Sequence, residues 1–308
     1  MAINLIAFAG FYAAARHTVR YADTLTQALH GRLVLLHVKR ASLFDPFVLM
    51  APRYQQEELS READTAAALE RLAEELPTRP GVEVATDLLP AVAQDLADRH
   101  GPALFVLSQP GMGTVEGPGV AADAAELLRA GHFPLLVVPA AAPADHAPRR
   151  ILLAADRELF TLAPNALALR QLLALPGATL TIAHVSSAGA DDDAGCGAAL
   201  HAVQASGLLA GLPAPELRGY AHDDHTEGLL AAVRDTGADF IVVLARQRSY
   251  LGEMFHRSVT ARLLERSPVP VLVLPVAAEE DAPDTPSQRT TDAANWAAGA
   301  LAGLSPAN

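Results

Sequence analysis

The densest run of basic chemistry in the chain is Arg246, Arg248, His256 and Arg257, four basic or potentially basic residues within twelve positions. Ser258 follows directly and opens an amphipathic stretch ending near residue 267. Guanidinium groups gathered at a helix N-terminus can hold an anion by charge and by charge-assisted hydrogen bonds. The same residues also suit a solvated loop whose arginines pair with carboxylates while Ser258 caps its helix. A phosphate-handling reading needs Asp156, Ser258 and these arginines to meet in space. The sequence offers them no Walker-type lysine and no activated nucleophile.

Other candidate groups are weaker. His222-Asp223-Asp224-His225 has the composition of a metal site but no third ligand at a useful spacing. Asp223 or Asp224 reads better as an N-cap, with Glu227 in the first turn of the helix that follows. Asp191-Asp192-Asp193 lacks the glutamate and spacing of a calcium loop. His37 and His184 are expected to be structural, because no acid or nucleophile can be named beside either. Cys196 sits between glycines near acidic residues, without the positive surroundings that activate a thiolate. No residue is assigned a catalytic or metal-binding role.

These residues belong to a 308-residue chain that is 51% hydrophobic and 19% charged, with a formal net charge of −12. Such a composition packs into globular domains, about two at this length. The acidic balance excludes the electrostatic footprint of a nucleic-acid binder. A single cysteine excludes an internal disulfide. No apolar run is long enough to span a membrane, and the N-terminus has no signal-peptide pattern, so a cytoplasmic location is expected.

The elements that must position the site come from an internal repeat. Ile3–Ala9 and Arg32–Val38 recur as Arg150–Asp156 and Thr179–Val185, with His37 and His184 in matching places 147 residues apart. Leu104–Leu107 and Phe133–Pro139 recur as Phe240–Leu244 and Val269–Pro275 at a spacing of 136. Continuous Val/Leu/Ile runs alternating with helical stretches predict parallel strands buried on both faces and joined by helical crossovers. Strands are expected near 3–9, 32–38, 82–88, 103–107 and 134–138. In the second copy they are expected near 150–155, 179–185, 216–220, 239–244 and 270–274. Helices are expected near 12–30, 54–76, 91–100 and 120–131, then 162–175, 197–210, 224–236 and 258–267. The fold class is α/β, two tandem five-stranded parallel-sheet, Rossmann-like domains. The domains are expected at 1–139 and 150–276, with an exposed Pro-rich tether at 140–149 and a mobile acidic tail from 277.

A unit of this size, closing on a loop, a helix and a Pro-Val-Leu-Val-Leu-Pro strand, resembles the universal stress protein family, in its tandem, two-domain form. Ala154-Ala155-Asp156 and the pairs His37-Val38 and His184-Val185 match the family's strand endings. The resemblance implies the adenine nucleotide alpha hydrolase-like fold. Single-domain members pair the edges of their last strands. A tandem chain is therefore expected to form a pseudo-dimer within itself through Leu135–Val138 and Val271–Leu274, which also hides two unpaired edges.

Nucleotide-binding members carry G-x2-G-x9-G-[S/T] before the last helix, because glycines let backbone N–H groups approach phosphate. Set against that pattern, the second copy keeps Ser258 but has Leu244, Gln247 and Arg257 at the glycine positions. The first copy keeps only Gly111, with Ser108, Ala121 and Ala122 elsewhere, and has Ala9 where Asp156 stands in the second. Glu116 and Asp123 lie in or beside the first copy's loop and would repel phosphate. The resulting expectation is a non-catalytic stress-response protein that acts by binding and needs no cofactor. The alternative is an ATP or AMP sensor using Asp156, Val185, Arg246, Arg248, Arg257 and Ser258. Its expected partners are itself, internally or as a homodimer, and an unknown protein contacting the Phe44–Met50 insertion.

Overall fold

The computed structural model describes residues 3–9, 13–38, 52–85, 89–109, 120–187, 192–247 and 258–277. One compact unit takes in Met1–Ala277. The Phe44–Met50 insertion, Gly111, Glu116, Arg248, His256, Arg257 and the segment after Ala277 lie outside the described residues.

Ten strands form one sheet. They are β1 (Asn4–Phe8), β2 (Arg32–Val38), β3 (Gly81–Ala85), β4 (Ala103–Ser108), β5 (Leu135–Val138), β6 (Arg150–Ala154), β7 (Thr179–Ser186), β8 (Glu216–Ala221), β9 (Phe240–Ala245) and β10 (Val271–Pro275). Their order is β3-β2-β1-β4-β5-β10-β9-β6-β7-β8. Each half repeats the same five-strand arrangement, as the repeat predicts. Strand neighbours are parallel except β5 and β10, which run antiparallel with Leu136 opposite Leu272. The expected internal pairing of the two terminal strands is therefore present.

The unbroken apolar runs follow from burial on both faces. In β9, Phe240 and Val242 face one core while Ile241 and Val243 face the other. Leu272 and Leu274 of β10 likewise oppose Val271 and Val273. Helix α1 (Ala13–Ala28), α2 (Pro52–Glu74), α5 (Pro164–Leu167), α6 (Arg170–Leu173) and α7 (Asp192–Ala205) cover the first face. The second is covered by α3 (Leu89–His100), α4 (Val120–Gly131), α8 (His225–Thr236) and α9 (Val259–Arg266).

Contacts across the seam are reciprocal. Gln109, just after β4, donates to the carbonyl oxygen of Leu264 at 2.9 Å. Gln247, just after β9, reaches the His132 ring at 3.0 Å. Each half thus anchors the exit of its fourth strand on the other half.

Two expectations are corrected. The segment at 140–149 is docked rather than an exposed tether: Ala142 is buried in the first core, and the carbonyl of Ala144 accepts from Thr24 Oγ1 at 2.7 Å. The helix expected over 162–175 is two single turns, α5 and α6. Its start is diverted because Leu162 bridges to Val276 and Ala163 N–H donates to Pro275. Pro164, at the first turn, has no N–H to contribute.

Candidate functional site

In the second half, β6 lies between β9 and β7. The chain leaving β6 turns to the face of α5 and α6, whereas the chain leaving β9 reaches α9 on the opposite face. The connections diverge at the carboxyl ends of these strands, and a divergence of this kind opens a crevice in an open α/β sheet. A cleft of about 470 Å³ lies there. Its walls include Ala154, Ala183, Val185, Leu229, Val243 and Leu244, while Asp156, Arg157, Glu158, His184, His225 and Thr260 supply polar groups.

His184 is 5% exposed, and its Nδ1 lies 3.0 Å from the carbonyl oxygen of Ala155. His37 repeats this contact with Ala9 at 3.1 Å. Each imidazole ties the second strand of its half to the end of the first, which supports the structural reading of both histidines. Gly195 in α7 leaves room for the ring, since a Cβ at that position would stand 2.8 Å from His184 Nε2.

Arg246 spans the mouth of the β6 turn. Its Nε donates to Asp156 Oδ2 at 3.1 Å and its Nη2 to Asp156 Oδ1 at 2.7 Å. Nη2 also donates to the Glu158 carbonyl at 2.8 Å, and Nη1 to the Leu159 carbonyl at 3.2 Å. A planar guanidinium suits this fork-like pairing with a carboxylate. The structure thus brings Asp156 and Arg246 together, but as partners of each other.

Asp156 and Val185 line the cleft. Ser258 Oγ accepts from Ala261 N–H at 3.1 Å and so caps α9, while Val259 and Thr260 behind it reach the cleft. Arg248 and Arg257 are outside the described residues. Asp224 is the N-cap of α8, as expected, accepting from Thr226 and Glu227 N–H. His222 Nδ1 accepts from Asp224 N–H at 3.1 Å. Among the described residues no three His, Cys, Asp or Glu side chains converge as metal ligands.

Arg157 and the cleft-facing position of His225 were missed in the sequence. The motif directs attention to the loop after β9, whereas Arg157 lines the cleft beside Asp156 in the turn after β6. Its place directly after a strand-ending acid is the one signal that could have flagged it.

Residues 148–275 match the model of the Universal stress protein family. The second half is a universal stress protein domain. A crystal structure of a universal stress protein from Archaeoglobus fulgidus DSM 4304 is similar over 88% of this chain and 97% of that one. The TM-score is 0.64 at 16% identity. A functionally unknown protein from Pseudomonas aeruginosa PAO1 is similar over 89% of this chain and 92% of that one, with TM-score 0.51 and 14% identity. Both likenesses extend through the first half and concern its fold. No curated protein matches the chain. The cleft therefore belongs to a universal stress protein domain of the adenine nucleotide alpha hydrolase-like fold. No helix among the described residues is long and apolar enough to cross a membrane.

Proposed function

We propose that this chain is a non-catalytic stress-response protein that acts by binding, with the cleft of its universal stress protein domain as the ligand site. The observation that carries this reading is the mutual neutralisation of Asp156, which lines the cleft, and Arg246. A cleft that mixes aliphatic side chains with hydrogen-bonding and charged groups suits a small molecule. Arg246, held by Asp156 and by two carbonyls, is already committed and has less charge to offer a polyphosphate. Leu244 and Gln247 at glycine positions of the family motif point the same way.

The alternative is an ATP or AMP sensor that hydrolyses ATP weakly. Retention of Asp156 and Ser258 favours it. Calorimetric titration of nucleotide-stripped protein with ATP, AMP and cyclic AMP, with and without Mg²⁺, separates the two when phosphate release is followed in parallel. The binding reading expects no phosphate release and no tight ATP complex. Micromolar ATP binding with Mg²⁺-dependent phosphate release would establish the alternative.

A further inference from the structure

We propose that the open edge of β3 and the helix α2 beside it form a docking groove for an extended peptide segment that carries two basic side chains on alternate residues and an acidic group beyond them. The groove lies in the first half and is independent of the cleft.

β3 is one end of the ten-strand sheet, so one row of its backbone N–H and C=O groups faces outward. A Cβ built at Gly81 would meet nothing within 4 Å, so the start of the strand stands in open space. Val82 and Val84 pack toward the core that α2 covers, whereas Glu83 turns to α3, where Arg99 and His100 hold it at 2.7 and 2.9 Å. A groove of about 600 Å³ opens between α2 and this edge, lined by Glu70, Glu74 and Arg79 with Ala73, Pro80 and Val82. Glu70, Glu74 and Arg79 are all exposed.

The turn that enters β3 fixes the end of the groove. Asp23 of α1, only 2% exposed, accepts from the Thr78 N–H at 3.1 Å and from the Thr78 hydroxyl. Arg79 follows with φ of 46°, a left-handed backbone uncommon outside glycine, and its N–H donates to the Leu76 carbonyl at 3.0 Å. A buried carboxylate thus anchors the backbone that presents Arg79 at the start of the strand.

Spacing and charge select the occupant. Residues four apart on a helix face have Cβ atoms about 5–6 Å apart, and alternate residues of a strand repeat at about 6.6 Å. A segment that adds to β3 through backbone hydrogen bonds therefore brings two same-face side chains level with Glu70 and Glu74. The two carboxylates call for Lys or Arg there, and Arg79 calls for an acidic group at the groove's end. On the α3 side Glu83 is already neutralised, so that face reads no charge. The opposite edge of the sheet differs, because Arg218 of β8 is paired with Glu216 of the same strand at 2.7 Å. A second copy is a poorer occupant: two β3 strands paired about a two-fold axis would oppose their central Glu83 residues.

The test is fluorescence anisotropy on the full chain with a labelled peptide, acetyl-Thr-Lys-Val-Lys-Val-Glu-Thr-amide, and with the reversed sequence, so that both strand directions are offered. A control peptide carries Pro in place of each Val, which keeps the charge and removes N–H groups that pair with an edge. The natural protein should bind one probe at least about tenfold more tightly than the proline control. Glu70→Gln with Glu74→Gln should weaken that probe about fivefold, the scale of two exposed ion pairs, with melting temperature unchanged. Glu265→Gln with Asp98→Asn removes the same charge from exposed positions elsewhere and should leave the affinity unchanged. Amide exchange should slow over Gly81–Ala85 when the probe is added. Equal binding of the proline control, equal weakening by both double variants, protection confined to β8, or no binding up to about millimolar peptide would each overturn the proposal. Protection of Gly81–Ala85 that rises with protein concentration alone would give the edge to a second copy and overturn it as well.

Discussion

Arg262 and Asp224 meet side by side, Nη1 donating to Oδ2 and Nη2 to Oδ1, each at 2.7 Å. The pair joins α9 to the cap of α8, the two helices whose first turns border the cleft. Hydrogen bonding from Arg262, assisted by the N–H groups of Glu227 and Thr226, holds the Asp224 carboxyl well below the usual carboxylate range. A carboxyl depressed in this way stabilises the fold at neutral pH, and the contribution is lost as pH falls through the folded-state value. Asp224→Asn keeps a capping oxygen and removes the charge. It should melt below the natural protein at pH 7, and the difference should shrink as pH falls below about 4. Circular dichroism melts across that range check it; a gap independent of pH would contradict the assignment.

The seam between the halves makes a stronger demand. Leu136 and Leu272 are fully buried and face each other across the antiparallel pair β5 and β10. Truncating either to Ala should cost about 2–5 kcal/mol through lost burial and a residual cavity. Because the two side chains share one environment, the double variant should depart from additivity by about 0.5 kcal/mol or more. Urea unfolding of the four proteins measures this directly.

Arg246→Gln should act on both stability and ligand. Its side chain is only 14% exposed but Asp156 is 49% exposed, so solvent screening limits the loss to about 1 kcal/mol. The freed Asp156 charge would face the cleft, so affinity for an anionic ligand should fall relative to a neutral one. Melting temperature and calorimetry together read the two effects.

Gly228, in the first turn of α8, marks where that helix meets β7. A Cβ there would stand 2.6 Å from Val185 Cγ1 and 3.1 Å from His222 Cβ. Gly228→Ala must push α8 outward, at a cost of about 1–3 kcal/mol. The movement carries Leu229 and His225 with it, so ligand affinity should fall as well. Unchanged stability, measured by urea unfolding, would show that the contact is easily relieved.

What the sequence by itself determined was periodic. Unbroken, β-branched-rich runs such as Phe240–Leu244, alternating with helical stretches, point to strands with both faces covered, and the matched spacing of the two copies, with His37 and His184 in equivalent places, exposes the duplication. The repeat, the strands and the Asp224 cap were legible because each depends on local chemistry or on a pattern repeated along the chain, whereas the pairing of the terminal edges was implied by the family resemblance and the cost of an unpaired edge. The site was less so. Asp156, Val185 and Ser258 could be marked, but not that Arg246 would turn back across ninety residues to Asp156. Nor could spacing show that Arg157 would line the cleft. Partners of charged side chains are fixed by where strand ends and helix starts converge, at distances of a few ångströms. Linear order does not encode those distances, so tertiary structure alone decided which arginines neutralise the fold and which faces the cleft.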